Sequence, residues 1–245
     1  MVDRRGKSAF KSDNTVGYRY LRPRPRHRKA DPAQVEAFKQ AWPERLDKIA
    51  AEHPGKRLRV YFQDESRFGQ QGTNTNVWAE KGSRPTAVRQ TEYEYLWVIG
   101  AVCPECLLEL GGARRRAPQP AVEHADRQLI LGAVRKTIPE GKHAVMIWDG
   151  AGFHTAGALR VPENVTLVKL PPYSPELNPI ENLWRYLKSH FSSNRAYADY
   201  DALEAAAMAA WRVAVLDQDL VRSVCAAPYL DRATSNRKRT TPGRH

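Results

Sequence analysis

Three acidic residues and one histidine occupy positions where they could do chemistry. Glu181 lies in the stretch Pro171 to Trp184, which reads PPYSPELNPIENLW. Asn178 followed by Pro179 is a helix start, because asparagine can accept an orphan backbone N–H bond and proline tolerates the first helical position. The predicted helix runs through Phe191. Ile180, Leu183, Trp184, Leu187 and Phe191 then share one face, while Asn178, Glu181, Arg185 and Lys188 share a neighbouring polar one. Taken alone, Glu181 suits a capping box with Asn178 or an ion pair with Arg185. Asp64 follows the strand-forming run LRVYFQ, and Asp149 follows the hydrophobic run HAVMIW. An acidic residue where a central strand ends is held rigidly yet stays reachable by a ligand, although Asp64 by itself also reads as an ordinary turn aspartate. His154 could be a structural hydrogen-bonder, or could orient a carboxylate, a water or a phosphate.

These residues need elements to position them. Residues 32–53 have apolar positions at Val35, Phe38, Leu46, Ile49 and Ala50, which predicts a helix kinked at Pro43 and stopped by Pro54-Gly55. Residues 58–63 and 94–103 read as strands, the second buried on both faces. The Gly, Asn and Thr-rich stretch 68–86 predicts loops around a hairpin with a VWAE core. Helical spacing returns at 123–138 through Leu129, Ile130, Ala133, Val134 and Ile138, followed by strands at 143–148 and 165–170. A stiff proline loop at 171–175 delivers the helix that carries Glu181, and residues 199–216 form an Ala-rich helix packed on the sheet. Between Glu105 and Ala121 the pattern is lost, and an insertion or a frameshift scar would both explain it. Cys103 and Cys106 form a CxxC, but no second pair lies at zinc spacing.

The string YSPELNPIENLW closely resembles the third catalytic block of bacterial DDE transposases of the mariner-like superfamily, in particular the six-thirty insertion-sequence family. FQDESRFG is similar to that family's first block, and DGAGFH to its second, with Gly150 where Asn is common. The resemblance implies that Asp64, Asp149 and Glu181 are the catalytic, metal-binding carboxylates, holding two Mg²⁺ or Mn²⁺ ions. Two such ions serve both ends of an in-line phosphodiester displacement, and hard oxygen ligands select them. It also implies an α/β fold, an RNase H-like mixed sheet flanked by helices, with the third strand left open by the broken pattern. The implied activity is DNA cleavage at transposon ends followed by strand transfer into target DNA. Glu65, His154, Asn178, Arg84, Arg185 and Lys188 are the neighbouring candidates for supporting the site or touching DNA. A remnant that binds DNA without cleaving it is the alternative, and a junction resolvase is a third reading, against which the NPIE block argues.

Charge points to the same partner. The formal net charge is +12. Residues 1–30 carry a net +8 and residues 231–245 a net +4, so everything between nets to zero. Basic ends suit flexible arms that neutralise nucleic-acid phosphates. The RPRPRHRK strip places Arg22, Arg24, Arg26, Arg28 and Lys29 along an extended backbone and resembles the end of the family's helix-turn-helix region. The expected organisation is therefore a basic arm at 1–30, a linker helix at 31–56, the catalytic domain at 57–217 and a basic, disordered tail at 218–245. Expected partners are transposon-end and target DNA, a second copy of the chain on DNA, and a separate helix-turn-helix polypeptide. With three cysteines, no membrane span and no apolar leader, the sequence reads as a soluble bacterial protein, cytoplasmic and nucleoid-associated.

Overall fold

Alternation along the strands sets the architecture. In the computed structural model, which describes residues 28–70, 74–88, 90–92, 94–114, 124–149 and 159–230, five strands form one sheet. They are β1 (Arg57–Gly69), β2 (Tyr95–Cys103), β3 (Cys106–Arg114), β4 (Lys142–Trp148) and β5 (Val165–Lys169), in the spatial order β3-β2-β1-β4-β5. β1 pairs antiparallel with β2 and parallel with β4, so the sheet is mixed and β1 lies at its centre. The strand left open by the sequence is present: β3 pairs antiparallel with β2. Gly111-Gly112 and the basic, proline-rich residues that follow hide it from a hydrophobicity pattern, whereas the tight turn after Cys103 defines it. Cys103 is disulfide-bonded and Cys225 is a buried free thiol, a pairing the odd cysteine count did not suggest.

Successive side chains point to opposite faces, giving two cores. Tyr61, Ile99, Ala144 and Met146 meet Ile130, Leu131 and Val134 of helix α2 (His124–Thr137) on one face. The helix face is rotated from the sequence reading: Leu129 is exposed and Leu131 is buried. Phe62, Val98, Val145 and Ile147 meet the other helices on the second face. These are α1 (Pro32–Glu52), α3 (Ile180–Leu187), α4 (Tyr200–Leu216) and α5 (Gln218–Val224).

Asp31 caps α1 by accepting from Ala33 N at 2.9 Å, and Pro43 lies inside the helix without ending it. This helix is more than a linker. Its Phe38 and Trp42 pack on Tyr229, and its apolar face joins the core. Residues 218–224, assigned to the tail by sequence, form α5, whose Val221 is buried. The stretch 77–80 is not a hairpin core, because β1 continues to Gly69 and pairs directly with Tyr95. Among the described residues, no helix is long and apolar enough to cross a membrane.

One buried histidine lies far from the carboxylates along β4. His143 is fully buried, stacks on His53 at 3.6 Å and shares a 2.8 Å hydrogen bond with Thr166 Oγ1. Burial first, then the nearby His53 and Lys56, pushes its pKa down to about 4. The unfolded imidazole takes up a proton near pH 6.5, which the folded one resists until about pH 4. Stability is therefore expected to fall by roughly 3 kcal/mol as pH drops through that window. Urea midpoints at pH 7, 6 and 5 should converge between wild type and His143→Gln, and parallel curves would contradict this.

Candidate active site

β1 outruns its parallel partner, and this places the first carboxylate. Parallel pairing with β4 stops at Phe62 opposite Ile147, whereas antiparallel pairing with β2 continues through Asp64 opposite Gly100 to Gly69. Asp64 therefore sits within a strand, not at its end as the sequence suggested. The strand-forming run appeared to stop at Gln63 because the residues beyond it are polar, yet β2 keeps them hydrogen-bonded. Asp149 does follow the end of β4, as expected. Both residues lie where the parallel half of the sheet gives out.

Asp64 is 8% exposed. Its Oδ2 accepts a 3.1 Å hydrogen bond from Trp184 Nε1 of α3. Periodicity marks Trp184 as a core residue, which it also is, so the sequence gives no sign of this polar role. Gly100 makes the approach possible. A Cβ there would lie 2.3 Å from Cη2 of Trp211 and 2.8 Å from Cη2 of Trp184. The two indoles stack at 5.0 Å over this glycine.

Glu65 points to the opposite face of β1, as alternation requires. There it pairs with Arg127 of α2 at 3.8 Å, with both side chains 11% exposed. Arg127 also lies 5.9 Å from the ring of Trp148, the residue before Asp149. One cation thus touches the neighbours of both aspartates. Arg127 lies on a helix read only for its apolar face, so nothing in the sequence singles it out.

α3 brings Glu181. Ile180, Leu183, Trp184 and Leu187 are buried, each contributing about 1.5–3 kcal/mol by leaving water, which leaves Glu181 half-buried beside the core. The expected cap by Asn178 is absent. The N-cap residue is Pro179, with no side-chain cap bond, and Asn178 instead donates from Nδ2 to Gln63 O at 3.0 Å. Asn178 thereby ties the start of α3 to the residue before Asp64. The 3₁₀ turn Pro175–Leu177 precedes it. After Leu187 the chain passes into a π-helical turn, Lys188–Ser192. Arg185 donates to Asn182 Oδ1 at 3.2 Å in place of the expected pair with Glu181.

The carboxylates sense one another. Burial first, then Glu181, Glu65 and Asp149, holds Asp64 well above the usual carboxylate range. Burial and Asp149 raise Glu65, against the pull of Arg127. Glu181 is raised chiefly by burial, with Lys188 and Arg185 pulling it down and Asp149 pushing it up. Lys188 is lowered by burial and lies 5.5 Å from the Phe68 ring.

Asp64, Asp149 and Glu181 line one cavity of about 370 Å³. Residues 169–175 and Asn178 line it as well. Among the described residues, no three of His, Cys, Asp or Glu are gathered closely enough to hold an ion as they stand. The donor set nevertheless fits a hard divalent cation: it is all carboxylate, mutually repulsive and partly desolvated, and Asp149 Oδ1 is buried without a hydrogen-bond partner. Arg84 is exposed on the connection after β1, and no contact links it to the cavity. Arg28 and Lys29 are exposed ahead of α1. His154, Arg22, Arg24 and Arg26 lie outside the described residues.

Comparison with known proteins bears on the family and the fold. Residues 59–204 match the family described as DDE superfamily endonuclease, and residues 15–41 match a winged helix-turn-helix family. An uncharacterized protein, y4pE/y4sA of Sinorhizobium fredii (strain NBRC 101917 / NGR234), is 38% identical over 117 residues, which cover 48% of this chain and 83% of that protein. The crystal structure of the Mos1 mariner paired end complex with Mn aligns at a TM-score of 0.61 and 16% identity, covering 95% of this chain and 70% of that one. The crystal structure of the Mos1 strand transfer complex aligns at 0.59 and 15% identity, covering 90% of this chain and 66% of that one. At these identities the likeness is one of fold, and the mixed sheet with helices on both faces is the RNase H-like arrangement the sequence led us to expect.

Proposed function

The chain belongs to the DDE superfamily endonuclease family, and from that premise we propose that it is the catalytic part of a transposase that cleaves DNA at transposon ends and transfers the freed strand into target DNA. The observation that carries the reading is the convergence of Asp64, Asp149 and Glu181 on one cavity from a strand interior, a strand end and a helix.

In this reading the three carboxylates hold Mg²⁺ or Mn²⁺, two ions in the working complex. Bound there, such ions would activate a water for attack and offset charge on the leaving oxygen. The chain's own residues set the stage. Trp184 fixes one oxygen of Asp64, and Asn178 keeps α3 in register with β1. Glu65 and Arg127 brace the aspartates from the far face of the sheet. Lys188, half-buried near both Glu181 and Asp64, is placed to meet a phosphate oxygen beside the carboxylates. Arg185 offers a second cation on the exposed side of α3.

The basic residues Arg22, Arg24, Arg26, Arg28 and Lys29 are assigned to DNA backbone contacts. Assembly as a homodimer on DNA, help from a separate helix-turn-helix polypeptide, and a place at the bacterial nucleoid complete the proposal. The Mos1 structures are of paired-end and strand-transfer complexes, and the shared fold supports extending that chemistry to this chain.

Incubation of the purified protein with transposon-end DNA and Mn²⁺ tests it. Wild type is expected to nick the DNA and Asp149→Ala to lose at least about a hundredfold in rate, the order found when a group acting on transition-state charge is removed. Equal nicking by both proteins would remove Asp149 from the mechanism.

A further inference from the structure

The contacts between the helix that carries Glu181 and the strand that carries Asp64 climb both segments in step. Asn178 donates to Gln63 O, and Trp184 donates to Asp64 Oδ2. Farther along, Trp184 meets Phe68 at 6.2 Å between ring centres, and Lys188 lies 5.5 Å from the same phenyl ring. The series continues beyond the ends of α3 and β1. Past the π-helical turn Lys188–Ser192, Asn194 Oδ1 accepts from Thr75 N at 3.1 Å and Nδ2 donates to Thr75 O at 3.0 Å. Thr75 Oγ1 donates to Ser193 Oγ at 3.0 Å, and Ser193 Oγ donates in turn to Ser189 O inside the turn.

A second amide fastens the connection from β1 to β2 onto the same segment. Gln90 Nε2 donates to Tyr197 O at 2.6 Å, and Gln90 Oε1 accepts from Tyr197 N at 2.7 Å. Tyr197 is buried in the core that also holds Trp184 and Leu187. Thr75 and Gln90 are thus both tied to residues 193–197, each through a side-chain amide that occupies the N–H and the carbonyl of one residue. Residues 76–88 between them are exposed, so packing does not hold this strap in place. Asn194 has φ of 56°, in the left-handed region, where asparagine is enriched. Hydrogen bonds reached by solvent add little to global stability, yet four of them in fixed directions determine where a segment sits. The π-helical turn lies between Glu181 and this staple, and such turns are found mostly at functional sites.

We propose that Asn194 is a positioning residue for the metal site: by holding Thr75, it fixes the far end of the helix unit that carries Glu181, and so sets how Glu181 meets Asp64. The inference rests on the metal-dependent reading above and deepens it. Gln90 serves the same end by tying the strap's return to Tyr197. Asn178 secures the near end of α3, and the Asn194 staple keeps the unit from swinging about that point.

Coupling between the staple and the site is reciprocal, so two measurements on the full chain test it. The first is calorimetric titration of Mn²⁺ into wild type and Asn194→Gly, a change that suits the left-handed backbone and removes only the amide. Affinity should fall by roughly 3- to 30-fold, the range for residues that couple to a site without touching its ligand. The second is hydrogen exchange at the Thr75 and Tyr197 amides, which donate to the two staples. In wild type, Mg²⁺ should slow exchange at both by a similar factor. A merely structural bond would show no such dependence on the ion. Gln90→Ala, which leaves Asn194 in place, should shift the Mn²⁺ titration in the same direction and carries the comparison should Asn194→Gly fail to fold. Wild type that binds the ion with exchange at Thr75 unchanged, or variants that bind it as wild type does, would overturn this inference alone. Wild type that binds neither ion would overturn the metal-dependent reading and this inference with it.

Discussion

Gly100→Ala is expected to destabilise the protein by about 3 kcal/mol or more, near the top of the range for overpacking a filled core. The new methyl would have to occupy space 2.3 Å from one indole and 2.8 Å from another. Neither ring can retreat easily, because Trp211 and Trp184 stack on each other and Phe68 meets the edge of Trp184. For a chain of this length the loss corresponds to roughly 6–12 °C in melting temperature. Gly100 is the β2 partner of Asp64, so the same displacement pulls Trp184 from the carboxylate it holds. Thermal melts and Mn²⁺ affinity should fall together. A variant that melts like wild type would mean the sheet can flex enough to admit the methyl, and the packing described here would be wrong.

The second large effect is expected from Trp184→Phe. Phenylalanine keeps most of the stacked surface but removes the N–H that Asp64 Oδ2 accepts. A bond to a charged group contributes about 1.5–3 kcal/mol, and a buried oxygen left without it is costly. Removing a group that orients a metal ligand typically costs 10- to 100-fold in affinity or activity. Trp184→Phe should therefore melt a few degrees below wild type while its nicking rate falls by roughly that factor. Packing loss alone would lower the melting point without touching the rate per folded molecule. That outcome would reduce Trp184 to a core residue.

Much of the fold was legible because its elements obey simple periods. β2, β4 and β5 are short runs of apolar, strand-forming residues, and α3 and α4 carry apolar stripes. What stayed hidden depends on contacts between distant segments. The extension of β1 past Gln63 is enforced by β2, since DESRFG has no strand pattern of its own. β3 is held by its hairpin to β2, and its short apolar start, Leu107 to Leu110, gives way to Gly111-Gly112 and a basic, proline-rich stretch that break the pattern. Asn178 looked like a cap because the local sequence favours one, yet its Nδ2 donates to the carbonyl of Gln63 and its Oδ1 makes no cap bond. Trp184 and Arg127 each have an apolar or helical reading that conceals a polar contact across the sheet. The carboxylates themselves were found through motif resemblance. Their approach to one cavity follows from strand order, with β1 and β4 adjacent and α3 tethered above them, and sequence separation carries no such information.

The proposed joint action of Asp64, Asp149 and Glu181 on a divalent ion rests on the cavity they share. Calorimetric titration of Mn²⁺ into wild type, Asp64→Asn, Asp149→Asn and Glu181→Gln measures this directly. Wild type should bind, and each single neutralisation should weaken binding by about tenfold or more, with the fold intact in every case. An isotherm left unchanged by any one of the three would contradict the common site.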